Sequence, residues 1–177
     1  MNKLNVKKLV TSALCLALCL VLPFLTGQIP DIGSALLPMH IPVLLCGFVC
    51  GWGWGLAVGF VAPLLRSAIF HMPPMYPTAV SMAFELAVYG LMCGLLYKLL
   101  PKKVPYIYVT LIVSMLAGRA VWGVVRTVLS LAFNVKFSWA IFMSGAFIDA
   151  VPGIILQIVL IPLLVIGLKR ARLMLNE

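Results

Sequence analysis

Charge is scarce in this chain. Only 10% of its 177 residues are charged, and only four of those are acidic. A domain of this length that is 64% hydrophobic is not a soluble one. Its core is the helix bundle itself, and we expect a polytopic membrane protein of a single domain spanning residues 1–177. The apolar runs are long and do not alternate with polar residues, so helices rather than a closed barrel satisfy the backbone in lipid. Catalytic signatures are missing too. There is no Walker sequence, so the chain cannot hydrolyse ATP alone. No nucleophile elbow or His-Glu-x-x-His accompanies the serines.

The charge that is present is mostly positive, for a net of +9. In a soluble protein that would suggest nucleic acid. Here nine of the 13 cations form three clusters: Lys3, Lys7, Lys8; Lys98, Lys102, Lys103; and Lys169, Arg170, Arg172. Each flanks apolar spans, which is the positive-inside pattern and assigns all three to the cytoplasmic side of a bacterial-type cell membrane. No nucleic-acid partner is expected. The five cysteines all lie inside apolar runs and read as small packing residues. We expect no metal and no cofactor. The lysines before Leu9–Leu22 resemble a signal peptide. No small-residue cleavage site follows, so this segment reads as a retained first helix.

Six helices are expected, at about 8–25, 39–51, 56–70, 78–99, 106–133 and 137–168, with both termini cytoplasmic. The outer loop from Thr26 to Pro38 is rich in breakers, and Gly51-Trp52-Gly53-Trp54-Gly55 reads as a tight inner turn. The second span is short. Ala13 and Ala17 sit four apart on the first helix, where small side chains permit close approach of another helix.

Five ionisable residues are expected at membrane depth: Arg66, Glu85, Arg119, Arg126 and Asp149. A charge there costs about 2.5–3.5 kcal/mol on insertion scales, so it is retained for a partner, water or a ligand. At about 1.5 Å per residue, Arg66 and Glu85 reach similar depths in neighbouring spans, and so do Arg119 and Asp149. The expected pairs are therefore Arg66–Glu85 and Arg119–Asp149. Arg119 and Arg126 share one helix face, with Trp122 between them. Arg126 is left over. Two readings stand: it meets an anionic group on a ligand entering from outside, or it snorkels to water or lipid headgroups. Trp122, Tyr76, Trp139 and Asn134 cluster at the outer half, and His40 and His71 sit at outer loop–helix junctions, where a histidine serves structure or contacts a ligand. Aromatics there serve as interfacial anchors or as stacking surfaces for a vitamin-sized ligand.

At this point the chain resembles the substrate-binding S components of energy-coupling factor (ECF) vitamin transporters. The resemblance covers nearly the whole length. It rests on size, six helices with both ends inside, Ala13-x-x-x-Ala17, the outer Leu37-Pro38-Met39-His40-Ile41-Pro42 segment, the glycine-rich Gly47–Gly59 region and the basic tail. It implies a transport subunit, not an enzyme, that binds a vitamin in an outward pocket. It also implies docking by Ala13 and Ala17 onto a membrane T component, with two ATP-binding-cassette ATPases completing the complex. No ligand contact transfers from the family; the candidates remain Arg126, Trp122, Arg66, Glu85, Tyr76, Asn134 and His40. The leftover arginine favours an anionic substrate such as pantothenate. The alternative is a standalone proton-coupled secondary carrier of a small organic solute, with Arg119 and Asp149 as its relay.

Overall fold

Apolar segments in lipid must satisfy every backbone N–H and C=O internally. In the computed structural model, which describes residues 3–25, 35–133 and 138–176, the elements are helical and no strand occurs among those residues. The helices are α1 (Lys3–Leu25), α2 (His40–Cys50), α3 (Trp52–Phe70), α4 (Val80–Leu99), α5 (Val104–Phe133), α6 (Trp139–Met143) and α7 (Val151–Arg170). A π-helical turn at Met75–Ala79 leads into α4, and another at Ser144–Ile148 follows α6.

Five segments are long and apolar enough to cross a membrane: α1, α3, Met75–Leu99, α5 and α7. The expected second span is α2, which has only 11 residues. That is about 16 Å of helix, against a hydrocarbon core of about 30 Å. The described helices thus comprise five long ones and a short one, not six of spanning length. The expected last helix, 137–168, is also divided into α6, a π-turn and α7.

The short helix is the centre of the bundle. From His40 to Cys50 every residue except Ile41 and Leu45 is buried. Being apolar on all sides, α2 suits a position enclosed by other helices, and it packs against α1, α3, α4 and α7. The turn after it is tighter than expected. Gly51 alone reverses the chain, at φ 101°, and α3 begins at Trp52. A side chain is disfavoured there by the backbone and by the Asn176 Oδ1, which an added Cβ would meet at 2.8 Å. Gly55 serves a different purpose, since it lets α3 cross α4 at backbone distance. A Cβ on Gly55 would lie 2.6 Å from the Gly90 carbonyl oxygen.

The end of the bundle at Gly51 collects the basic clusters. Lys8, Lys98 and Asn176 border one cleft beside Gly51. Lys169 donates to the Lys102 carbonyl at 2.8 Å. The C-terminal tail returns to the same end, with the Leu175 N–H on the Val49 carbonyl (2.9 Å) and Asn176 Nδ2 on the Gly94 carbonyl (3.1 Å).

Candidate functional site: a cavity at the end away from the lysines

At the other end the helices part around a cavity of about 670 Å³. That is within the usual range for small-molecule sites, about 300–1,000 Å³. α1 contributes Pro23, the start of α2 contributes His40, and α3 contributes Arg66. Residues Met72–Pro74 and the first turns of α4 border it. α5 lines it with Arg119, Trp122 and Arg126, and the α6–π-turn segment adds Ile141, Ser144, Gly145 and Asp149. On α5 the spacing of three and four residues places the arginines and the tryptophan on one stripe.

Glu85 is the buried hub, 1% exposed. Its Oε1 lies 2.9 Å from Arg119 Nη1 and 3.5 Å from His40 Nε2. The His40 ring also meets Tyr89 edge-on, with centroids 5.3 Å apart. Tyr89 is one helical turn from Glu85, on the same face of α4. A carboxylate this deep is tolerable because a guanidinium and an imidazole face it. The cluster still has hydrogen-bonding capacity to spare. Arg119 Nε and Nη2 and both His40 nitrogens are buried and lack a hydrogen-bond partner among the described residues.

Both expected ion pairs are therefore rearranged. Arg119 takes Glu85, not Asp149. Asp149 instead accepts from Ser144 Oγ at 2.7 Å. The expected depth of Asp149 requires one unbroken helix from residue 137. The chain actually breaks after the π-turn, so Asp149 sits just before α7, exposed, where a helix N-terminus suits a carboxylate. Arg66 does not take Glu85 either, although both border the cavity. Its Nη1 donates to the Leu20 carbonyl of α1, a turn before the helix-disrupting Pro23. Its guanidinium lies 5.0 Å and 5.2 Å from the ring centroids of Phe24 and Phe70.

Arg126 is in no ion pair among the described residues. It sits 5.6 Å from the Trp122 ring, and its Nε lacks a hydrogen-bond partner there. Trp122 is only 9% exposed and stacks on Phe142, with centroids 5.9 Å apart. Its burial is at odds with an interfacial belt position. Of the other candidates, Tyr76 lies outside the cavity lining. Its hydroxyl donates to the Leu129 carbonyl at 3.2 Å, and its ring packs on Phe133. Asn134 lies outside the described residues. Ser144 and Gly145 sit in a run that reads as continuous helix, and the signal of a break there is Pro152-Gly153, with Pro152 at the start of α7.

On α1, Ser12, Cys15, Cys19 and Pro23 face inward. Ala13 and Ala17 are exposed, on a face shared with Val10, Leu14 and Val21. All five cysteines are free and buried. Among the described residues no group of three or more His, Cys, Asp or Glu could hold a metal ion.

A bundle of apolar helices around a polar-floored cavity defines a membrane protein that receives a small solute. The family model for the substrate-specific component of ECF transporters matches residues 7–165. The chain belongs to that family. It is thus a multi-pass membrane protein and a transport subunit, of a family that works with a membrane-embedded T subunit and ATPases. No curated protein and no solved structure matches the chain.

Proposed function

We propose that this protein binds a vitamin or related micronutrient with high affinity and delivers it inward as the substrate-specific subunit of an ATP-driven ECF transporter. The observation that carries the reading is the cavity of about 670 Å³, floored by Glu85, Arg119 and His40 at the end opposite the lysine clusters. In this reading both termini and the lysines are cytoplasmic, as the positive-inside rule favours, and the cavity opens outward. The chain crosses the membrane six times, with α2 and its flanking residues completing the short crossing. Arg126, Trp122, Arg66, Glu85 and His40 contact the ligand, and Arg126 favours an anionic one such as pantothenate.

Two outcomes follow. Arg126→Ala should weaken binding of an anionic vitamin by about tenfold or more, the effect of losing a charge-assisted contact of about 1.5–3 kcal/mol. Unchanged affinity in a titration would remove Arg126 from the site. On α1, Ala13→Trp with Ala17→Trp should leave ligand binding intact and prevent docking onto the T subunit. Co-purification of the double variant with the T subunit and ATPases at the wild-type level would contradict that.

The whole reading is tested by reconstituting the protein with its T subunit and two ATPases and measuring uptake of a labelled vitamin. Accumulation should require ATP and all the subunits. Uptake by the purified chain alone would instead favour a secondary carrier.

A further inference from the structure

The cavity floor combines three ionisable groups in an arrangement that is electrically incomplete. Glu85 and Arg119 neutralise one another through a single contact, Oε1 to Nη1. His40 faces the same oxygen from the start of α2, at 3.5 Å. Both of its nitrogens are buried without a hydrogen-bond partner among the described residues. It nevertheless borders the cavity, so a proton can reach it whenever the cavity holds water. With a neutral imidazole the cluster has no net charge. With a proton on His40 it has a charge of one positive unit.

Other charges around the imidazole bear on this. Tyr89 is uncharged and meets its ring. Arg66 from α3, Arg126 from α5 and Asp149 before α7 border the same cavity. These three sum to one positive charge. A negative ligand reverses that balance. Inside a site of low dielectric, an anion a few ångströms from the imidazole stabilises its protonated form strongly. Linkage is reciprocal, so a proton on His40 must strengthen anion binding by the same factor.

We propose that His40 takes up a proton when an acidic ligand binds in this cavity, so that the site selects anions more strongly as pH falls. This rests on the uptake reading above and deepens it. Proton and anion enter together at equilibrium, and the ligand's charge is neutralised within the site without displacing Glu85 from Arg119. The proton sets affinity and specificity and is not the energy source for transport. His40 acts here as a specificity-determining residue.

The test uses the full-length protein in detergent and calorimetric titration with pantothenate, nicotinate, biotin and folate, each beside its uncharged alcohol or amide. Affinity for an acidic probe should fall as pH rises from about 5 to about 8, by up to about tenfold per pH unit, the limit for one linked proton. Repeating the titration in buffers of different ionisation heat counts the protons taken up. The uncharged analogue should show no slope. His40→Gln, which keeps a hydrogen-bonding side chain, should bind with the slope abolished. His71→Asn should keep it, since Asn tolerates the left-handed backbone at that α3 cap. A pH-independent affinity in the wild type, or a slope that survives His40→Gln, overturns the proposal.

A second readout needs no ligand. With only two histidines in the chain, ¹⁵N-histidine labelling of the His71→Asn protein gives a signal from His40 alone. If that imidazole keeps one protonation state from about pH 5 to about pH 8, both with and without 10 mM of each acidic probe, the linkage is excluded. If no probe binds yet the imidazole titrates, the uptake reading fails while His40 stands as a proton site. If a probe binds without proton uptake, only this inference fails.

Discussion

Replacing Glu85 by alanine should abolish ligand binding and lower stability by about 3–5 kcal/mol, the cost of leaving a buried charge uncompensated. The charge left behind is Arg119, 6% exposed, whose Nη1 has the Glu85 carboxylate at 2.9 Å. His40 would lose the acidic neighbour it has among the described residues at the same time. A lost melting transition in detergent, or a fall large enough to prevent purification, is the expected result. The diagnostic partner is the double variant Glu85→Leu with Arg119→Met. Removing both charges and keeping volume is often neutral or stabilising. The double variant should therefore fold about as well as the wild type and still bind no ligand. If Glu85→Ala folds and binds normally, the cluster has neither role.

The second large effect lies at the crossing of α3 and α4. Gly90→Val should prevent the bundle from assembling. A Cβ on Gly90 would fall onto the backbone of Gly55, and a Cβ on Gly55 would in turn lie 2.6 Å from the Gly90 carbonyl oxygen. Neither contact is with a flexible side chain, so relief requires the helices to separate. Overpacking of a well-packed core costs about 1–3 kcal/mol even where side chains can move. Here the loss should exceed that, and Gly90→Ala should already be measurably destabilised. The control is Gly53→Val, two residues before Gly55 and on the exposed side of α3. A Cβ there meets nothing within 4 Å, so its melting temperature should stay at the wild-type value. Equal behaviour of the two valine variants would show that the crossing is not tight.

Much of this architecture is legible in the sequence because lipid imposes simple rules. Long apolar runs mark α1, α3, α4 and α5 closely and the end of α7, although the expected 137–168 helix begins well before α7 does, and the lysines gather at one end as their spacing in the chain suggests. The α5 stripe of Arg119, Trp122 and Arg126 follows from helical periodicity alone. The pairing of the charges does not follow from it. Depth counting measures position along a helix axis, whereas pairing depends on which face each helix turns toward which neighbour. Arg66 turns toward α1, so Glu85 is left to Arg119. The break after α6 also moved Asp149 relative to its count, and no single residue in Ser144–Ile148 announces a π-turn. The sequence places His40 at an outer loop–helix junction. Its place at the buried floor follows from α2 being central as well as short; the shortness shows in the sequence and the central position does not.

The central claim is that the cavity between α1, α2, α3, α4, α5 and the α6–π-turn segment holds a micronutrient. The most direct measurement is mass spectrometry of whatever small molecule accompanies the protein purified in mild detergent, followed by titration of that molecule. A vitamin-like compound bearing an anionic group is the expected result. Its affinity should be about nanomolar, worth about −12 kcal/mol, and should be lost in the Glu85→Leu/Arg119→Met variant. No accompanying molecule, together with no binding across a panel of vitamins, would contradict it.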